Sequence, residues 1–259
     1  MIPKRTSQIQ VITRACLLLG LFRRNEPEMN LSDLAKCAGL HPSTTYRILQ
    51  QLVAEGMLTK DHSNNKYRLG PELLKLGELA RVTNDLIQTA YPHVVKLAAR
   101  WEETTLLDTL DRNLQVSSIL SIPSTHRIAL NPAYNKPLLP HCLAAGKVLL
   151  AYLPPQRVDG YLTHELVALS EKTITDPDKF RKELSKIRDQ GYSTNLGEQE
   201  IDFNAVGAPI REASGQVVAA VSVGGPSSRM TLKELPDIIG SVVEVAGAIS
   251  SDLGYEEAA

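Results

Sequence analysis

Two glycines and a proline punctuate one stretch of this chain and restrict its fold more than any other feature. Between residues 31 and 56, two apolar patterns of helical period are separated by a few residues. The first, Leu31, Leu34, Ala35 and Ala38, falls on one helix face, with Ser32 placed to cap its start. Gly39 follows, at the position where a helix commonly ends in a left-handed residue. Pro42 opens the second, because a first helical residue loses nothing without its N–H. That helix is expected over residues 42–55, with Gly56 stopping it. Helix, short glycine turn and helix make a helix-turn-helix.

The second helix carries the chemistry. Tyr46, Leu49, Leu52 and Val53 are able to face a core, while Ser43, Thr44, Arg47, Gln50 and Gln51 lie opposite. Ser, Thr and Gln bond phosphates or base edges, and Arg is the commonest bidentate reader of guanine. Residues 57–60 and 66–69 then flank the polar turn Asp61-His62-Ser63-Asn64-Asn65, which reads as a hairpin. This wing brings Lys60, Lys66 and Arg68 near phosphates. Ordinary helical domains share the local pattern, so charge helps to decide. Residues 1–70 hold ten Lys/Arg against five Asp/Glu, a balance of +5, whereas residues 71–259 hold eighteen against twenty-four, a balance of −6. A basic first unit on an acidic remainder points to a polyanion partner for the first unit only. The candidate DNA contacts are Pro42, Ser43, Thr44, Thr45, Tyr46, Arg47 and Gln51, with Lys60, Lys66 and Arg68 on the wing.

Around this core, residues 9–24 have the spacing of a helix through Ile12, Ala15, Cys16, Leu19 and Phe22, with Pro27 beyond its end. Residues 71–90 form a second amphipathic pattern, a linker helix, and spacing leaves open whether it lines a dimer seam or packs within its own domain. From residue 91 helices and strands mix. Helices are expected over 92–103, 140–153, 155–162, 176–190 and 232–253, and strands over 105–110, 114–120, 126–130, 205–211 and 217–223, with a strand region from Gly191. Helices bracketing a mainly antiparallel sheet make an α+β domain.

Other chemistry is weakly supported. No apolar run has the roughly 18 residues of a membrane span, and the N-terminus lacks a signal-peptide core. Cys16, Cys37 and Cys142 are far apart, which argues against disulfides and structural zinc and for a reducing cytoplasm. His141 and Cys142 are adjacent, so their side chains do not face each other on a helix as a nucleophile and base would. Cys142 reads as a core residue, and His141 either as a pocket group or as a partner of backbone. Lys147 follows a glycine but lacks the phosphate-loop pattern, so it reads as a surface or helix-terminal lysine. Gly224-Gly225-Pro226-Ser227-Ser228 reads as a turn after a strand, and Glu198-Gln199-Glu200-Ile201-Asp202 as a solvated loop. Arg127, Arg211 and Arg229 are candidates to pair a ligand carboxylate. No enzyme activity, metal or cofactor is expected.

These residues resemble the IclR-type (isocitrate-lyase-regulator) family of bacterial transcriptional regulators. The first domain carries the resemblance in Leu34-Ala35, Gly39-Leu40, Ser43-Thr44-Thr45-Tyr46-Arg47-Ile48-Leu49 and Tyr67-Arg68-Leu69-Gly70. The second carries it in residues 141–151, Gly191-Tyr192, Ala208-Pro209-Ile210, residues 215–226 and Arg229. The resemblance implies a winged helix-turn-helix domain over 1–70, a linker helix over 71–90 and a GAF-like effector-binding and oligomerisation domain over 91–259. It implies a homodimer or homotetramer that binds double-stranded operator DNA, as repressor or activator, under control of a small organic or aromatic acid. Carried over position by position, the effector would be lined by Leu143, Ala144, Ala145, Gly146, Phe203, Ala205, Ser222 and Gly224. Leu143 stands where the family often has a small hydroxyl residue, and Pro140 where it more often has leucine. The leucine at 143 removes a donor and makes this pocket more apolar, and both departures argue against a close copy of any family member's ligand. The other reading is a redox or protein-interaction sensor whose C-terminal domain takes no metabolite.

Overall fold

A computed structural model describes residues 9–23, 26–61, 63–82, 85–127 and 138–256. The chain divides into two compact units, with the boundary between Thr83 and Asn84.

In the first unit, α1 (Gln10–Leu19), α2 (Leu31–Ala38) and α3 (Pro42–Ala54) precede the hairpin β2 (Leu58–Lys60) and β3 (Lys66–Leu69), followed by α4 (Pro71–Val82). α1 stops at Gly20, short of the expected residue 24, consistent with the low helix propensity of glycine. Gly39 has φ +62, so the turn between α2 and α3 rests on a residue without a Cβ. α2 is capped by Asn30, whose side chain accepts from the Asp33 N–H at 2.9 Å, not by Ser32, which lies inside the first turn. The short strand β1 (Met29–Asn30) pairs with β3 and completes a sheet of order β1-β3-β2. Leu18, Phe22, Leu34, Leu49, Leu58 and Tyr67 close the core. It fixes α3 against the wing, and Gln50 Nε2 donates to the Tyr67 hydroxyl at 3.4 Å.

The second unit is an α+β sandwich. Its antiparallel sheet runs β5-β4-β8-β7-β6, made of β4 (Thr104–Leu110), β5 (Val116–Ile122), β6 (Ser193–Leu196), β7 (Phe203–Arg211) and β8 (Val217–Pro226). α5 (Asp85–Trp101) and α9 (Leu235–Asp252) cover one face, where Val94, Leu97, Val221, Val223, Ile238 and Val242 pack. α6 (Ala144–Ala151), α7 (Pro155–Leu162) and α8 (Pro177–Gln190) cover the other, where Val148, Leu150, Phe180, Leu184 and Ile187 meet Ala220. Strand side chains alternate, so Ala220 and Ser222 share the α6 face while Val221 and Val223 face α9.

Several expectations change. The linker helix expected over 71–90 ends at Val82, and the helix expected from residue 92 begins at Asp85, with Pro92 in its interior. The helix expected over 140–153 is broken: a 3₁₀ turn (Pro140–Cys142) comes first, Leu143 is extended at φ −108 and ψ 141, and α6 then starts. The break is held by Asn195, whose Nδ2 donates to the Cys142 carbonyl at 2.9 Å. α9 starts at Leu235 rather than residue 232, after a Thr231–Glu234 side-chain pair. Of the strand expected over 126–130, residues 128–130 lie outside the described residues, and His126 and Arg127 are not in a strand. His62 also lies outside them.

Candidate functional site

α3 is capped by His41, whose Nδ1 lies 2.8 Å from Ser43 Oγ and accepts from the Ser43 N–H. Pro42, Ser43, Tyr46, Arg47 and Gln51 are exposed along one side of the helix. Thr44 is half-buried beside them. Tyr46 turns outward with 47% of its surface exposed, so it leaves the core to Ile48 and Leu49. Thr45 is the exception among the expected contacts. It is fully buried and its hydroxyl donates to the His41 carbonyl at 3.2 Å, so its role is to hold the helix start rather than to touch DNA. Gln51 Nε2 donates to Glu55 Oε1 at 2.8 Å, which steadies it along the helix.

On β3 the burial pattern places Lys66 and Arg68 outward and Tyr67 inward. Lys60 is half-buried, with its ammonium 5.7 Å from the Tyr67 ring centroid, a cation–π contact that restrains it. The wing tip is tied by Ser63, whose Oγ–H and N–H both donate to Asp61 Oδ1, and these bonds hold the Asp61 carboxyl below the usual carboxylate range. The first unit thus presents an exposed guanidinium on α3 and two outward-facing cations on the wing.

In the second unit, Ala144, Phe203 and Ala205 form a buried apolar cluster. Gly224 pairs with Ala205 across the sheet, and a Cβ at Gly224 would stand 2.5 Å from Phe203 Cζ, so the ring lies over that glycine. Ser222 pairs with Gly207, where a Cβ would be 3.0 Å from both the Ala144 carbonyl carbon and the Ala145 nitrogen. The first turn of α6 therefore rests directly on the sheet beside Ser222. Ser193 anchors it by donating to the Ala144 carbonyl. Leu143 provides no side-chain cap, so the positive end of α6 is left without one. Ala145 packs instead into the α7–α8 side of the core. Gly146 serves the 3₁₀ turn, since a Cβ there would overlap the Pro140 carbonyl and lie 2.6 Å from Pro140 Cα. Of the expected lining, Ala144, Phe203, Ala205, Ser222 and Gly224 form one patch, Leu143 borders it half-buried, and Ala145 and Gly146 are packing positions.

Asp108 adjoins that patch and was missed in the sequence. It is 3% exposed on β4, with Ser118 Oγ donating to Oδ1 and Ser222 Oγ at 3.3 Å from Oδ2. Burial raises its pKa to about 6, and the two hydroxyls only temper the rise. The signal was a lone acid among the threonines and leucines of β4.

The remaining polar candidates are structural. Lys147, expected on the surface, is 1% exposed and sits 2.6 Å from Glu198 Oε1 and 3.5 Å from Glu183 Oε1. Glu198, expected in a solvated loop, is buried with it. His141 is satisfied on both sides, by Tyr161 Oη at 2.6 Å and the Val167 carbonyl at 3.0 Å, and burial keeps its pKa below the ordinary value. Burial, then Glu198, pushes the Cys142 thiol up to about 12, which leaves no thiolate for nucleophilic or redox chemistry near neutral pH. Arg229 is paired with Glu103, and Arg211 lies 4.6 Å from the Tyr152 ring centroid, so neither waits for a ligand, while Arg127 is exposed. Among the described residues, no group of three or more His, Cys, Asp and Glu is placed to hold a metal, and no helix is long and apolar enough to cross a membrane. A separate cleft of about 410 Å³ lies at the other end of α6, among Tyr152, Pro155, Val158, Arg181 and Leu184.

Known proteins share both units. Residues 11–62 match the family model described as the IclR helix-turn-helix domain, and residues 80–251 match that of the bacterial transcriptional regulator IclR C-terminal domain. The chain is 31% identical to the glycerol operon regulatory protein of Streptomyces coelicolor, over 95% of this chain and 97% of that protein. It is 29% identical to the HTH-type transcriptional regulator KipR of Bacillus subtilis, over 95% and 98%. An IclR homolog from Microbacterium hydrocarbonoxydans, solved with 4-hydroxybenzoate, aligns with a TM-score of 0.77 at 28% identity, over 94% of this chain and 98% of that one. The IclR transcriptional regulator of Alicyclobacillus acidocaldarius shares the fold, with a TM-score of 0.85 at 24% identity over 95% and 100%. The chain thus belongs to the IclR family of DNA-binding bacterial transcriptional regulators.

Proposed function

We propose that this regulator works as a cytoplasmic homodimer, or a pair of such dimers, whose operator affinity is set by a small organic or aromatic acid. Residues 1–70 bind DNA, residues 71–90 relay, and residues 91–259 bind the effector and assemble the oligomer. The observation that carries the DNA reading is the exposed row Ser43, Arg47 and Gln51 on α3, with Lys66 and Arg68 on the wing. A two-fold dimer presents two such helices to successive major grooves of a pseudo-palindrome. Dimerisation is supported by exposed apolar side chains in the first unit: Ile9 at the start of α1, Ile12 within it, and Leu74 on α4 at 77% exposure.

The effector reading rests on the patch beside the uncapped start of α6, where an anion is favoured by the helix dipole and an apolar body by Ala144, Ala205 and Phe203. The Microbacterium homolog's 4-hydroxybenzoate supports the same ligand class. The effector shifts operator affinity, as an inducer or a corepressor, through its differential affinity for two arrangements of the dimer. Footprinting on the gene's own upstream region, with and without a panel of organic acids, tests both halves. Protection of an inverted repeat that responds to one acid is expected; protection of no site overturns the DNA reading, and indifference to every acid overturns the effector reading. Thiol alkylation with DNA binding as readout separates this from a redox sensor, since only a redox sensor responds.

A further inference from the structure

Asp108 is the one buried acid on the α6 face of β4 for which neither the fold nor the effector patch just described has a use. Leu106 and Leu110 share its face, and a carboxyl there is costly to desolvate. Its two named partners are hydroxyls, from Ser118 and Ser222, and no cation is among the causes that shift it. A serine hydroxyl has one proton and two lone pairs. When that proton is committed to a carboxylate, the oxygen offers only lone pairs in every other direction. Ser222 is the group so committed, and it stands beside Gly207 under the first turn of α6.

We propose that Asp108 is a specificity-setting residue of the effector site: by taking the proton of Ser222 it turns that hydroxyl into an acceptor, so the effector is an organic acid that also carries a hydroxyl group. The effector's hydroxyl donates to Ser222. Its carboxylate is kept away from Asp108 by like charge and lies toward the uncapped start of α6. Asp108 acts through Ser222 as a positioning residue. This inference rests on the effector reading above.

The test is isothermal titration of the full-length protein with 4-hydroxybenzoate and with benzoate, which differ only in the hydroxyl. The wild type is expected to bind the hydroxylated acid at least ~10-fold more tightly, the minimum for one buried hydrogen bond gained against one left unmade. In Asp108→Ala the preference falls to within ~3-fold, because the Ser222 proton is free to turn toward the ligand. Ser222→Ala removes the acceptor itself and gives the same loss, so the test stands even if Asp108→Ala fails to fold. Equal wild-type affinity for the two acids, or a preference that survives in both variants, overturns the role of Asp108 and leaves the effector site in place. Binding of neither acid overturns the assignment of a hydroxylated aromatic acid, while the effector reading itself stands or falls on the panel of acids above.

Discussion

Lys147 Nζ lies 2.6 Å from Glu198 Oε1, and the lysine is 1% exposed. α6 is otherwise built from small and aliphatic residues, so this side chain ends in a polar group inside a core. Glu183 approaches it at 3.5 Å from α8, and the second Glu198 oxygen, Oε2, is buried without a hydrogen-bond partner. Burial pushes the Glu198 carboxyl up, and Lys147 pulls it back only in part. Such a pair contributes little over an apolar one but is costly to break. Lys147→Met is therefore expected to destabilise the second unit by about 3–5 kcal/mol. Pairing it with Glu198→Leu recovers much of that loss. Urea unfolding followed by the fluorescence of Trp101, the chain's single tryptophan and part of α5, reads this unit. A double variant no more stable than Lys147→Met would show that the pair adds more than mutual neutralisation.

The sequence made some of this legible and hid the rest for a physical reason. Gly39 and Pro42 are local signals, and they placed α2, the turn and α3 without reference to anything distant. β1 was not legible, because two residues, Met29 and Asn30, are too few to show alternation. The 3₁₀ turn at Pro140 was hidden because Asn195, which holds the Cys142 carbonyl, comes 53 positions later. Lys147 looked like a surface lysine because its partner Glu198 is 51 positions away. The pairing of Asp108 with Ser222 spans 114 positions. Local spacing predicts elements; it does not predict which polar groups the sheet brings together.

Asp108 makes stability depend on pH with a definite sign. Its pKa rises from 3.8 to about 6 on folding, so the folded state binds the extra proton. The associated stability is fully present below the unfolded value and is lost as pH rises through about 6. Relative to Asp108→Asn, which does not titrate, the wild type should lose up to about 3 kcal/mol between pH 4 and pH 7.5. Trp101-monitored urea midpoints across that range check it. A constant difference between the two proteins would mean that Asp108 keeps one protonation state throughout.

Gly146 is required by close approach rather than by backbone conformation. Its missing Cβ makes room for the Pro140 carbonyl, so the 3₁₀ turn packs against α6 backbone to backbone. Gly146→Ala gains helix propensity and is still expected to destabilise by about 1–3 kcal/mol, since backbone atoms on both sides must shift. Thermal unfolding of the second unit measures this. An unchanged or raised melting temperature would mean the turn moves away from α6 at no cost.

Lys66 faces outward from β3, beside Arg68 and opposite the buried Tyr67. A lysine that neutralises one phosphate releases about one counterion. Lys66→Ala should weaken binding to operator and to unrelated DNA by similar factors and reduce the slope of log affinity against log salt by about 1. Titrations at four salt concentrations decide the matter. An unchanged slope would remove Lys66 from the phosphate contacts.

Arg47 differs from Lys66 in what it is placed to read. It is exposed on the row that runs from Ser43 to Gln51, on a helix whose position is fixed by Leu49 in the core and by Gln50 on Tyr67. A guanidinium held on a rigid helix can meet the O6 and N7 of a guanine as a fork, which is worth about 1–3 kcal/mol of discrimination. Arg47→Ala should therefore weaken operator binding by about 5- to 150-fold while changing binding to unrelated DNA far less. Arg47→Lys keeps the charge but not the fork, so it should restore nonspecific binding and leave most of the specific loss. Competition gel shifts with operator and shuffled DNA measure both. An equal loss on the two DNAs would make Arg47 a phosphate contact and move base reading to Ser43, Tyr46 and Gln51.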